Sequence, residues 1–229
     1  IGLFARSIDD LILLRRAQTG CNPGQKAGRL RVGVLRAPLW DEAEPAMQKM
    51  IEIINNILRE AGAIITDFDL PPLFTDIIPD AAVINAWEAS VMLKDEIRDH
   101  YESFNQHNRE RIEWVKGLEV EDYLRAGKKL DIARSKMDQL FSNWDLILSP
   151  SLPGEAPLGL TEVRTATFAR LWTQMYTPSI NFPLFEGPNE MPLCFQVVGR
   201  RDTDDDTLAN AKWVDDQLRS ELGNIPVRC

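Results

Sequence analysis

"LRVGVLRAPLWDEAEPAMQKMIEIINNILREAGAIITDFDLPP", residues 30–72, decides the fold. Its first six residues carry Val32 and Val34 at alternate positions, the period of a strand. Asp41 and Glu44 stand three apart, where acidic residues open a helix. Ala43, Met47, Met50, Ile54, Ile57 and Ala61 then recur every three or four residues, the spacing of one helix face, and Gly62 is placed to end it. "AIITDFDLPP" follows as a second strand that runs into prolines. Strand, helix, strand predicts a βαβ unit with its two strands parallel, because the helix supplies the crossover.

Working outward, "ARSIDDLILLRRA" precedes this unit with Ser7 three residues before Asp10, a variant capping box with Asp in place of Glu or Gln. Ile8, Leu11 and Leu14 continue at helical spacing, and "TGCNPGQKAG" ends the helix with turn formers. The middle of the chain is helical. Residues 79–99 read as helical, "NQHNRERIEW" as a polar surface segment, and residues 120–144 as the clearest helix. Along the last, Val120, Tyr123, Leu124, Leu130, Ala133, Met137, Leu140 and Phe141 line one face, and Gly127 weakens it by about 1 kcal/mol relative to Ala. "DLILS", residues 145–149, is nearly all apolar, as a strand buried on both faces should be. A short helix over 166–176 comes next. Two strands follow, "PSINFPLF" and "LCFQVVG", joined by the turn-rich "EGPNEMP". Thr203 and Asp206 form a second capping-box variant ahead of a final helix, with the acidic run Asp202 to Asp206 at its positive end. The fold class is α/β, a mixed β-sheet flanked by helices, in one segment spanning residues 1–229.

Composition limits the function. The chain has 229 residues, 44% of them hydrophobic and 27% charged, which suits a globular protein with a sizeable core. A net charge of −9 argues against a nucleic-acid partner, whose phosphates call for clustered Lys and Arg. No apolar run approaches the ~18 residues of a membrane span, so no membrane is expected. Three cysteines lie far apart, with no C-x-x-C pair. An odd, dispersed set suits reduced thiols in a cytoplasmic protein better than a disulfide framework. Neither a signal-peptide pattern nor an N-x-S/T sequon is read. The start at Ile1-Gly2-Leu3-Phe4, without Met, reads as the interior of a longer protein or as numbering from the first ordered residue.

The candidate chemistry is sparse. His100 and His107 are the two histidines, and a gap of seven fits one helix face, but nothing around them has the pattern of a zinc site. Neither sits near a nucleophile elbow, which argues against an ordinary Ser-His-Asp hydrolase. The acidic run 202–206 lacks the glycine turn and distal Glu of a calcium loop, and Glu119, Glu121 and Asp122 are explained as a helix start. No glycine-rich phosphate loop occurs. No metal or cofactor is expected. Ser149 and Ser151 close the buried strand, and no Lys or His stands near them in sequence to act as base. A loop at a strand end is a natural pocket wall in an α/β fold.

Five segments together resemble the amidase signature family. "GLFARSIDDL" is similar to its Gly-Pro-Met-Ala-Arg-Ser-Val-x-Asp-Leu stretch, and "LRVGVLRAPLWDEAEP" to the strand and helix start that follow. "DLILSPSLPGEAP" resembles its apolar strand and Thr-Pro-x-x-Pro loop. "LWTQMYTPSINFP" resembles Trp-Thr-x-x-Gly-x-Pro-Ala-x-x-x-Pro, and "MPLCFQVVGRRDTDDDTL" resembles Leu-Pro-x-Gly-x-Gln-x-Val-Gly-x-x-x-x-Asp. Order and spacing agree from Gly2 to about Leu218. The resemblance covers the C-terminal half of the family domain. It implies the family fold and the metal-independent, acyl-enzyme hydrolysis of small carboxylic amides. It also implies that Ser151, Leu152, Pro153, Trp172 and Thr173 border the substrate pocket. The family's Lys, cis-Ser, Ser triad lies around a Gly-Gly-Ser-Ser-Gly-Gly motif that the 229 residues lack, so no catalytic residue is assigned. Tyr176 stands at a family Gly, Ser179 at an Ala and Cys194 at a Gly, which puts substrate preference in question. The chain alone is expected to be inactive, and half a domain is expected to form a homo-oligomer or to pair with an N-terminal half. The alternatives are a stand-alone, non-catalytic ligand- or partner-binding module and part of an amidotransferase amidase subunit.

Overall fold

A computed structural model describes residues 2–21, 24–159 and 166–223 and the backbone of residues 227 and 228. Helix α1 (Ile8–Thr19) begins as the sequence predicts: the Ser7 hydroxyl accepts from the Asp10 N–H at 3.1 Å. It ends on Gly20, whose φ of 68° is the left-handed conformation that glycine adopts without strain. Strand β1 (Arg31–Leu35), helix α2 (Pro45–Glu60) and strand β2 (Ile64–Phe68) form the expected βαβ unit, with β1 and β2 parallel and Val32 opposite Ile65. The helix starts later than Asp41 and Glu44 suggest. Trp40–Glu42 make a 3-10 turn, and Pro45 takes the first helical position, where its missing N–H costs nothing. Its buried stripe is Met47, Met50, Ile51, Ile54 and Leu58; Ile51 and Leu58 take the place of Ile57, which is half buried, and Ala61, which is exposed.

Between β2 and the next strand run α3 (Leu73–Asp76), α4 (Ile78–Met92), α5 (Lys94–His100), α6 (Gln106–Val115) and α7 (Val120–Leu140). Residues 79–99 are therefore divided between two helices. Leu93, at φ −104° and ψ 21°, leaves the helical region; its N–H closes α4 on Ala89 O and its carbonyl opens α5 to Ile97 N. The split, with a further 3-10 turn at Tyr101–Ser103, also puts His100 and His107 on different helices, both exposed. On α7 the inner face holds Ala126, Leu130, Ala133 and Met137, whereas Val120 and Leu124 lie exposed. Asp122 accepts from the Glu119 N–H at 3.0 Å, the return arm of a capping box.

Strand β3 (Leu146–Pro150) is buried at every position. Helix α8 (Thr167–Gln174), strands β4 (Ser179–Glu186) and β5 (Pro192–Val198), helix α9 (Asp204–Leu222) and strand β6 (Val227–Arg228) complete the chain. The sheet order is β2-β1-β3-β5-β4-β6. β3 is parallel to β1 and antiparallel to β5, so the sheet is mixed, as expected. α2 packs on β2 and β3, α9 on α2, and α1 on α9. Thr203 does not cap α9 with its side chain: its hydroxyl donates to Arg200 O at 2.7 Å instead. Asp204, Asp205 and Asp206 still fill the first turn, Asp205 holding Arg15 at 3.1 Å and Asp206 accepting from the Gln25 N–H at 2.9 Å. The residues group into two compact units, Ile1–Leu70 with Asp138–Cys229, and Pro71–Met137.

Register between β1 and β3 is set at their first residues. The Asp145 carboxylate accepts from the Arg31 backbone N–H at 2.8 Å and from its guanidinium at 2.7 Å, and Asp145 N–H returns to Arg31 O at 2.8 Å. Burial pushes the Asp145 carboxyl up, but the Arg31 guanidinium and N–H outweigh burial and hold it below the usual carboxylate range. Two residues on, Gly33 lies under the Trp144 indole, which also packs on Phe68 with centroids 4.3 Å apart. A Cβ at Gly33 would sit 2.7 Å from Trp144 Cδ2.

Two outcomes follow for stability. Because Asp145 ionises more readily folded than unfolded, its contribution is complete above the unfolded carboxylate value of about 3.9 and is lost as pH falls through the folded value. Asp145→Asn lowers the urea midpoint at pH 7 and removes that part of the acid-side decline; equal midpoints for both proteins from pH 7 to pH 3 would show the clamp to be idle. Gly33→Val forces the indole off its seat and costs roughly 1–3 kcal/mol, read as a lower urea midpoint at constant slope.

Candidate functional site

At the end of β3 the chain turns through Ser151, Leu152, Pro153, Gly154 and Glu155. Register builds a polar row here. Ser149 lies opposite Gln196, and Gln196 opposite Asn181, so the three side chains share one face of the sheet. Ser151 and Cys194, each two residues along its strand line, fall on the same face. Ser149 is fully buried and donates to Pro150 O at 2.9 Å, an oxygen that also accepts from Gln196 Nε2 at 2.9 Å. Gln196 Nε2 is 3.5 Å from Phe168 O as well, which ties α8 to this face. Ser151 donates its hydroxyl to Asn181 Oδ1 and its N–H to Cys194 O. The opposite face of the same strands carries Phe182 and Phe195, stacked with centroids 4.8 Å apart. Sheet pleating thus divides an apolar core from a polar row.

The loop is fixed on two sides. Pro153 O accepts from the Glu44 N–H at 2.8 Å, and Gly154 lies so close to the Glu44 carboxylate that a Cβ would fall 2.0 Å from Oε2. On the other side the buried Glu155 carboxylate accepts from Asn189 N at 3.1 Å, Asn189 Nδ2 at 2.6 Å and Met191 N at 3.2 Å. These donors belong to the turn between β4 and β5. A carboxylate taken out of water is stable here because its oxygens meet several N–H groups. Sequence reading passed over Glu155 and Asn181. A Glu among prolines and glycines looks solvent-facing, and an Asn inside "SINFP" shows its place only when the register is known.

The five predicted border residues divide between this loop and α8. Ser151, Leu152 and Pro153 are half buried. Trp172 is buried, its indole N–H without a hydrogen-bond partner among the described residues, and Thr173 is exposed with its hydroxyl given to Ala169 O at 3.2 Å. Tyr176, just beyond α8, has a φ of 57°. The backbone demands a left-handed residue there, which accounts for glycine in the family pattern and costs Tyr on the order of 1–2 kcal/mol.

Chemically, the row holds hydroxyls, carboxamides and a thiol. An Asn oxygen accepts a hydrogen bond but cannot take a proton, so Ser151 is not activated by its partner. Burial pushes the Cys194 thiol up from its ordinary value, against a hydrogen bond with Asn181 that draws it down, so it stays protonated at neutral pH. Among the described residues no group of three His, Cys, Asp or Glu is placed to hold a metal, and no helix is long and apolar enough to cross a membrane.

The Amidase family model matches residues 1–208. The chain is 24% identical to the 2-amino-5-chloromuconic acid deaminase of Comamonas testosteroni, over 86% of this chain and 46% of that protein. It is 22% identical to one subunit of the glutamyl-tRNA(Gln) amidotransferase of Carboxydothermus hydrogenoformans, over 87% of this chain and 51% of that one. A crystal structure of an amidase superposes with a TM-score of 0.81 at 23% identity, covering 93% of this chain and 51% of the other. The chain spans about half the length of the curated relatives it matches. With the family model matched over most of its length and the same fold in a solved amidase, the chain belongs to the amidase signature family.

Proposed function

We propose that these 229 residues form the pocket-wall half of a unit that hydrolyses the carbon–nitrogen bond of a small carboxylic amide. The Lys, cis-Ser and Ser of the family's triad would come from polypeptide outside them. Family membership and the half-length match to its relatives support this reading. The observation that carries it is the state of Ser151. It sits at the strand end where a nucleophile would be expected, yet it spends its proton on a carboxamide oxygen. In the proposed role Ser151, Leu152, Pro153, Trp172 and Thr173 border the substrate. The loop, tied to Glu44 and to the 187–191 turn, keeps its shape while the carbonyl is held for attack. A wall fixed in advance of binding is what orientation in a transition state requires. Free Cys21 and Cys194 fit a reducing, cytoplasmic setting.

The similarity to an amidotransferase component favours a second reading, in which the chain is part of such an assembly. A third, a stand-alone binding module, differs in that the chain would need no further polypeptide.

The chain alone is expected to be catalytically silent. A panel of aliphatic and aromatic amides incubated with the purified protein should release no ammonia above buffer, and a fluorophosphonate should leave its intact mass unchanged. Turnover abolished by Ser151→Ala, or phosphonylation at Ser151, would place the nucleophile in this chain and overturn the reading. Self-association is the second outcome. Phe4 is 95% exposed and Leu13 63%, with Leu3 and Leu14 also turned outward, an apolar group that a missing half or a second copy would cover. Sedimentation should show dimers or larger species, dissociated by Phe4→Asp with Leu13→Asp. A monomer that binds no apolar dye contradicts it.

A further inference from the structure

The geometry points to a small-ligand site inside the Pro71–Met137 unit that selects a planar, ring-bearing monocarboxylate of benzoate size. This goes beyond the amide-hydrolysis reading and rests on none of its residues. The three helices α4, α5 and α6 enclose a half-open cavity of about 180 Å³. A cavity of about 150 Å³ lined by aliphatic side chains is known to hold one benzene ring, so the volume admits a single ring with one small substituent.

The shape comes from the sequence. Ala86 and Ala89 place methyl groups on the α4 wall where larger side chains would close the space, and Ile97, Phe104 and Ile112 supply the opposing apolar surfaces. Leu93, whose backbone leaves the helical region where α4 gives way to α5, itself lines the cavity. The lining is mostly apolar, and one formal charge stands in it, that of Arg111.

Arg111 gives the site its chemistry. Elsewhere in the described residues Arg15, Arg31, Arg36 and Arg109 each hold a carboxylate, whereas Arg29 and Arg59 bond neutral oxygens. Arg111 holds no carboxylate there: its Nη2 donates to the neutral Asn85 Oδ1, which fixes the guanidinium without neutralising it. Ser90, also in the wall, has its hydroxyl committed to Trp87 O at 2.7 Å and offers no competing donor. A half-buried, oriented, unneutralised guanidinium beside an apolar hollow complements a carboxylate attached to a ring. Arg111 is the one formally charged residue in the cavity lining, and it sets the sign of the ligand.

The test uses the 229-residue chain with 4-fluorobenzoate as the probe, followed by fluorine NMR, and 4-fluorobenzamide as its uncharged counterpart. Saturable binding of 4-fluorobenzoate at millimolar concentrations or below is expected, with the benzamide at least tenfold weaker. Arg111→Gln should bring the two probes to similar, weak affinity. Ala89→Leu fills the hollow and should abolish binding of both, while far-UV circular dichroism confirms that each variant keeps its helices. If Ala89→Leu perturbs the fold, Ala86→Val serves as the milder filling variant. No saturation by 10 mM probe, equal affinity for the two probes in the parent chain, or binding unmoved by filling the cavity would each overturn the site.

Discussion

A strand with both faces buried must satisfy its peptide groups sideways, and β3 does so with two neighbours of opposite sense. On one side it pairs in parallel with β1, whose partner in turn is reached through a helix. On the other it pairs antiparallel with β5, which is half of a hairpin. The mixed sheet is the outcome of joining those two local motifs through one strand. Everything assigned to the polar row depends on this, since the β3–β5–β4 register is what brings Ser149, Gln196 and Asn181 onto one face.

The same strand explains why its last residues resist a nucleophilic role. Ser149 lies too deep to meet a ligand, and its hydroxyl is consumed by the carbonyl of the next residue. Ser151 is at the surface of the row but is paired with an amide that holds no basic lone pair of use at neutral pH. Rigidity is what the loop offers instead. Glu155 is a buried anion surrounded by donors from a distant turn, and such an arrangement loses more when one partner is removed than it gains when formed.

Much of this was legible in the sequence where local rules and tertiary packing agree. The alternation in "LRVGVL", the helical spacing after Pro45, the apolar run of "DLILS" and the Ser7 cap all appear where the residues place them. Reading failed where a side chain had two partners to choose from. Thr203 could bond forward to α9 or back to Arg200, and took the latter. Residues 79–99 hold a nearly continuous helical pattern, and the break at Leu93 has no Gly or Pro to announce it. The stripe on α2 shifted toward Ile51 and Leu58 because a helix against a twisted sheet and a second helix buries a broader band than one line of residues. Asn181 and Glu155 act through register and through a turn more than thirty residues away, and spacing along the chain carries no trace of either.

The clamp between Arg31 and Asp145 joins residues 114 positions apart. The whole helical unit is threaded between them, so the central parallel pairing carries the entropy of closing a loop of that length, which local contacts cannot offset until both strands are in place. The βαβ unit and the β4–β5 hairpin close over far shorter spans and can form ahead of it. Until β3 arrives, the βαβ unit has an unpaired edge beside Val32. During synthesis the chain therefore passes through a stage at which its most adhesive backbone is exposed, and the time spent there is governed by the length of the helical excursion and not by the strength of the finished sheet.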